Sequence, residues 1–279
     1  MPTKILPSET RIGRTALRVD DLDETSEFYR DVVGLETLSE SSSRAVLGVA
    51  GTPLLVLESL DEASPRTGGS AGLYHNAFRV PSRAALGDAL ARVRDRWELD
   101  GASDHRVSEA LYLSDPEGNG VEIYRDFPRS EWPHTDDGRV EMGTDPLDLD
   151  AVARAAAGES GLPAGTDVGH VHLEVSSLDV FAEFYVDTVG FEQQTTVRGA
   201  TFVSAGGYHH HLGANTWQRR SEPASGAGLS WVEVVLPDED ALDALRGRLV
   251  EDGYEPTRVD DGVAVTGPDR IEVRFRAEE

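Results

Sequence analysis

One folding unit is written twice in this chain. Residues 15–36 read TALRVDDLDETSEFYRDVVGLE and residues 171–192 read VHLEVSSLDVFAEFYVDTVGFE, and the two align without a gap. Each opens on a strand-like alternation and turns into a helix carrying Phe28 and Tyr29, or Phe184 and Tyr185, at matching places. Each then stops at a glycine, Gly34 or Gly190. A repeated unit needs a repeated way to bury its apolar face, so this self-similarity limits the fold more than composition does.

A fainter pair follows the first. GLYHNAFRVP at 72–81 matches GLSWVEVVLP at 228–237, and each leads into a helical stripe, Leu86, Leu90 and Val93 in one, Leu242, Leu245 and Leu249 in the other. Strand-rich stretches at 110–124 and 263–275 close these units. The chain is therefore expected to hold four modules of one strand, a helix and further strands. A single curved sheet of three or four strands leaves one face bare, so the modules should pair. By sequence order the first domain is 1–125, with modules one and two, and the second is 168–279, with modules three and four. Between them lies 126–167, a linker rich in Pro, Gly and acidic residues with a short helical patch at 149–157.

Charge limits the partners. Asp and Glu total 51 against 26 Lys and Arg, a net charge of −25, and Lys4 is the sole lysine. Such a surface argues against nucleic acid or an anionic membrane as partner. No apolar run is long enough to span a bilayer, and the first residues do not read as a secretory signal, so the cytoplasm is the expected location. The acidic positions are scattered and do not form a tail, which suggests a solvated, halophile-like shell. There is no cysteine, so any metal must sit on His, Asp or Glu.

Several residues stand out as chemistry. His75 and His172 lie in the first strands of modules two and three, where modules one and four carry Ala16 and Trp231. Glu122 follows the tight turn at 115–120 in the strand VEIY, where alternation sends Glu122 and Tyr124 to one face. An inward carboxylate there is costly without a cation or metal. Tyr208, His209, His210 and His211 end a glycine-rich turn, and on a strand His209 and His211 would share a face. His105 precedes Tyr112 by seven residues, and a histidine with a phenol can position and deprotonate a diol.

These residues resemble a known family. The repeat LDETSEFYRDVVGL and LDVFAEFYVDTVGF is similar to the vicinal oxygen chelate superfamily of glyoxalase I, antibiotic-resistance proteins and extradiol dioxygenases. The stretches GLYHNAFRVPSR, SDHRVSEALYLSDPEGNGVEIYRD and FVSAGGYHHHLGANTW resemble the two-domain bacterial catechol-2,3-dioxygenase proteins. The segment from His105 to Glu122 nearly fits the extradiol signature, departing at Ser103. The resemblance implies an α+β fold of four βαβββ modules forming two glyoxalase-like open barrels. It also implies an enzyme that opens an aromatic diol with dioxygen at a 2-His-1-carboxylate iron(II) site.

Carried over residue by residue, the ligands are His172, His75 and Glu122, with His211 or His209 as acid-base residue and His105 and Tyr112 at the substrate oxygens. His211, four residues before Asn215, is also placed as a fourth ligand in the glyoxalase-type pattern. In that case a lyase or isomerase using nickel(II), zinc(II) or manganese(II) is the rival. A metal-free antibiotic-sequestering cleft is the third reading, and a homo-oligomer stays open. The ligand set is complete only if module two pairs with module three, leaving one with four; metal between His172 and Glu272 would refute that crossing. The charge reading predicts that dialysis to low salt unfolds the protein, monitored by circular dichroism; full retention of structure there would count against it.

Overall fold

The computed structural model describes residues 5–60, 64, 66–260 and 262–278. Module one contributes strands β1 (Arg11–Val19), β2 (Glu36–Ser41), β3 (Arg44–Val49) and β4 (Thr52–Ser59), and helix α1 (Leu22–Phe28). Module two holds β5 (Gly72–Arg79), α2 (Arg83–Arg96), β6 (Gly101–Asp104), β7 (Ser108–Ser114) and β8 (Gly120–Asp126). After the linker helix α3 (Leu149–Arg154), module three has β9 (Asp167–Glu174), α4 (Leu178–Ala182), β10 (Glu192–Val197), β11 (Ala200–Ser204) and β12 (Leu212–Asn215). Module four has β13 (Gly228–Leu236), α5 (Glu239–Glu251), β14 (Thr257–Val259), β15 (Gly262–Thr266) and β16 (Glu272–Ala277).

Each module helix starts at a side-chain cap, Asp21, Ser82, Ser177 or Asp238, whose oxygen accepts a backbone N–H three residues on. Helices α1 and α4 both widen into a π-helical turn, at Tyr29–Val33 and Glu183–Val189, over the repeated Phe-Tyr pair, which is buried in both copies. Both end at a left-handed glycine, with φ of 95° at Gly34 and 105° at Gly190.

The strands form two eight-stranded sheets, in the orders β14-β15-β16-β13-β1-β4-β3-β2 and β10-β11-β12-β9-β5-β8-β7-β6. The central joints are the antiparallel pairs β1 with β13 and β5 with β9. Module one therefore pairs with four, and two with three, as ligand completeness required. The helices follow a different rule. Arg92 on α2 donates to Val33 O (2.8 Å) at the end of the α1 turn, and Arg248 on α5 donates to Val189 O (2.8 Å) at the end of the α4 turn. Cations at these C-termini satisfy free carbonyls. The sequence halves 1–125 and 168–279 are thus tied by helices, while each sheet draws on both halves.

Residues 127–147 of the linker fold back along module two. Asp104 and Asp145 form a β-bridge, and Gly143 N–H donates to His105 O at 3.0 Å. Helix α3, shorter than the patch expected at 149–157, docks on α2 at Gly87. A Cβ placed at Gly87 would lie 2.6 Å from Val152 O and 2.7 Å from Ala156 N. Backbone cannot yield as a flexible side chain does, so Gly87→Ala is expected to destabilise the protein by about 1–3 kcal/mol, read from denaturant unfolding, with the linker the first region to gain hydrogen-exchange.

Candidate metal centre

The wall of the second sheet brings the chemistry together. Along β8, Val121 and Ile123 join the apolar core while Glu122 and Tyr124 face the opposite way, beside Ala77 and Tyr112. The antiparallel joint sets His75 opposite His172 and Ala77 opposite His170, and parallel pairing sets Ala77 beside Glu122. Three side chains converge there: His75 Nε2 lies 3.0 Å from Glu122 Oε2, His170 Nε2 lies 3.1 Å from the same oxygen, and the two nitrogens are 3.3 Å apart. All three residues are buried.

That triangle has the size of a metal site. Protein ligands about 2.1 Å from a metal are separated by ~3.0 Å along an octahedral edge and ~3.4 Å along a tetrahedral one. Protonation suits it as well. Burial pushes the Glu122 carboxyl up, but His170 and His75 outweigh this and hold it well below the usual carboxylate range. Burial lowers His170 to about 4, against the pull of Glu122. Near neutrality the cluster offers a carboxylate and a neutral imidazole, the ligating forms, and could hold a divalent ion.

The remaining sequence-derived residues divide. His172 lies one pleat along β9, buried in the same wall, its Nε2 3.2 Å from Asn215 Nδ2, outside the three-atom cluster. His105 and Tyr112 are joined: Nδ1–H of His105 donates to Gly143 O (2.7 Å), which leaves Nε2 to accept the Tyr112 hydroxyl (2.5 Å). Both line the cavity above the triad, about 790 Å³ in volume. The run 208–211 is irregular backbone after the turn at Gly206–Gly207, and β12 begins only at Leu212, so strand alternation does not order its side chains. His211 turns away from the cavity, its Nδ1 accepting Ala205 N–H (3.1 Å) and its ring against Tyr208. His209 Nε2–H donates to Asp126 Oδ1 at 3.0 Å.

His210 reaches the cavity instead, its ring 4.1 Å from that of His170. Because His209 donates from Nε2, its Nδ1 accepts from His210 Nδ1 (2.8 Å), and the Nε2 of a neutral His210 is left without a proton. Burial, with His170 next, holds His210 well below its ordinary value.

The sequence matches the Glyoxalase/Bleomycin resistance protein/Dioxygenase superfamily over residues 11–123 and 167–275. The chain belongs to this superfamily. It is 39% identical to the "Catechol-2,3-dioxygenase" of Bacillus subtilis (strain 168) over 93% of this chain and 94% of that one. Among solved structures, a putative dioxygenase from the same bacterium superposes with a TM-score of 0.66 at 14% identity, covering 99% of this chain and 86% of that one. Glyoxalase I from Zea mays gives 0.59 at 15% identity, covering 96% and 92%. At these identities the two structures speak for the shared fold alone.

Within the superfamily scaffold, His170 is a residue that sequence reasoning missed, although a signal was present. Counting back seven residues from the helix caps Asp21, Ser82, Ser177 and Asp238 lands on Arg14, His75, His170 and Trp231. The gap-free alignment of modules one and three sets His172 opposite Ala16, whereas the cap count sets His170 opposite His75. The same count explains the other sheet. Trp231 pairs with Glu272, and Glu233 with Arg274, so Arg274 holds there the position that Glu122 holds beside Ala77. The guanidinium carbons of Arg274 and Arg14 lie 4.1 Å and 5.6 Å from the Trp231 ring centroid. An indole between two cations fills the counterpart of the triad.

Reconstitution with iron(II) followed by elemental analysis is expected to give metal in the wild type and in His172→Ala. His75→Ala, Glu122→Gln and His170→Ala should each lose most of it. Retention in His170→Ala with loss in His172→Ala would restore the set read from the sequence.

Proposed function

We propose that this protein is an extradiol dioxygenase, which inserts both atoms of dioxygen into a benzenediol ring at a non-haem iron(II) site held by His75, Glu122 and His170. The observation that carries the reading is the triangle of ligating atoms with edges of 3.0–3.3 Å, set in a cavity that also holds a histidine-phenol pair and an unprotonated imidazole. The relative named for catechol-2,3-dioxygenase activity supports it.

Iron(II) held by His75, Glu122 and His170 would supply the means to bind the diol oxygens and dioxygen together and to carry electron density between them. The chain's own groups do the rest. Tyr112 and His105 orient the diol and hold a proton near its oxygens, the Gly143 carbonyl fixing the imidazole tautomer. His210 offers a bare Nε2 as acid-base group, which supports assigning it the role read from sequence for His211 or His209. Val107, Phe202 and Trp217 line the cavity and limit water around the reacting ring.

The lyase reading needs a fourth ligand. Among the described residues no further His, Asp or Glu atom joins the three within 4.8 Å of all of them, and His211, the fourth ligand that reading calls for, faces away; this favours three ligands. The metal-free reading is disfavoured by three converging polar ligands in a buried wall. The net charge of −25 supports working in concentrated salt as a solvated enzyme.

The test is anaerobic purification, loading with iron(II), and oxygen consumption with catechol. One dioxygen is expected per ring opened. His210→Asn should lower kcat by about 10²–10⁴-fold with iron content retained. No uptake by the iron-loaded protein with any benzenediol overturns the reading.

A further inference from the structure

Away from the triad, the cavity runs along β9 to Glu174, which shares a face with His170 and His172. This end is built by two loops, the entries to modules two and four. They pair through Ala71 N–H to Glu222 O (2.8 Å), Ser221 N–H to Gly69 O (3.1 Å) and Ala227 N–H to Ser64 O (2.9 Å). Each loop sends one arginine to the same carboxylate. Arg66 Nη2 lies 2.5 Å from Glu174 Oε2, and Arg220 Nε lies 3.2 Å from that oxygen. The side chains are 18% and 13% exposed, Glu174 only 3%, and all three line the cavity.

The loops hold both cations in place. Arg66 also donates to Leu73 O (2.7 Å) and Ser70 O (3.0 Å), and Arg220 to Gly68 O and to Gln218 Oε1 (2.7 Å). Yet the charges do not balance. Among the described residues Glu174 is the one carboxylate that forms an ion pair with either arginine, so two guanidiniums share a single negative charge. Glu222, the neighbouring acid, takes the Thr67 hydroxyl at 3.0 Å. Burial presses the Arg66 guanidinium below its ordinary value, Glu174 opposing and Arg220 adding to it. A second anion would relieve that stress. In a chain of net charge −25, a positive end to the reaction cavity is the opposite of what composition would place there.

Size points the same way. A cavity of about 790 Å³ lies in the upper part of the ~300–1,000 Å³ range of small-molecule sites, and a lone benzenediol ring leaves most of it empty. Glu174 stands four residues along β9 from His170, which is ~13 Å at ~3.3 Å per residue. Tyr74 and Trp217, edge to face with centroids 5.6 Å apart, flank the path between.

Building on the dioxygenase reading, we propose that Arg66 and Arg220 form an anion subsite and that the substrate is a benzenediol carrying a carboxylate on a short side chain. Guanidinium recognises carboxylate through charge-assisted hydrogen bonds, and the aromatic pair covers the intervening carbons. Arg66 and Arg220 then determine which diol is held, while the triad, His210, His105 and Tyr112 act on the ring.

The experiment compares kcat/KM of the iron(II)-loaded protein for catechol, for a dihydroxyphenylpropanoate and for the methyl ester of that acid. The acid is expected to exceed the ester by at least about ten-fold, mostly in KM, a difference of about 1.4 kcal/mol. In Arg220→Gln the ratio of acid to ester should fall toward one, and Arg220→Lys should restore part of it. An ester turned over as well as the acid overturns the subsite while leaving the dioxygenase reading intact. So does an acid preference that survives Arg220→Gln unchanged. No oxygen uptake with any of the three removes the dioxygenase function, and the substrate assignment falls with it.

Discussion

Everything at the candidate centre depends on the antiparallel joint between β5 and β9. Its register sets His75 opposite His172 and Ala77 opposite His170, and Ala77 leaves the space into which Glu122 reaches from β8. A slip of one residue would turn all of these side chains to the other face. The joint is held from behind by apolar core, with Phe78, Val121, Ile123, Val171 and Leu173 buried on the opposite side. Asn76 extends the hold by donating its amide to Thr15 of the first sheet at 2.7 Å. The apolar face thereby fixes the register on which the polar face relies.

The two sheets show what duplication does to such a joint. In one, the equivalent positions carry two imidazoles and a carboxylate; in the other, an indole between two guanidiniums, extended by Arg14 and Arg276 on Glu233 at 3.1 Å each. Both are ways of filling the concave wall of a curved sheet with groups that satisfy one another. The first leaves a gap suited to a cation, and the second supplies cations of its own.

Much of the fold was legible in the sequence because its causes are local. The Phe-Tyr pair and its glycine stop mark modules one and three, and a strand followed by a leucine stripe marks two and four, so four modules could be counted, and ligand completeness led to the crossed pairing. The site was harder. Glu122 could be read because alternation in a true strand decides its facing, and His75 because it stands in the first strand of a repeated module. His170 was missed because the two first-strand histidines of module three are a pleat apart and share a face, so alternation cannot separate them. His210 was hidden for the opposite reason: Gly206 and Gly207, with φ of 60° and 66°, make the chain turn, and strand logic then points to its neighbours. The linker looked like a spacer because its composition is polar, but Gly143 holds His105 and so it serves as part of the cavity wall.

The mismatch between helix and sheet partnerships bears on how the chain assembles. During synthesis the strands of the second sheet are all present once β12 has emerged, so the ligand cluster can close while module four is still being made. Module one must wait with the edge of β1 uncovered until β13 arrives from the far end of the chain. That is a long-range closure, the kind that is slow and leaves a sticky intermediate in the interval. Cutting the chain between its sequence halves would yield two fragments each holding half of both sheets, so neither fragment could keep a barrel wall of its own.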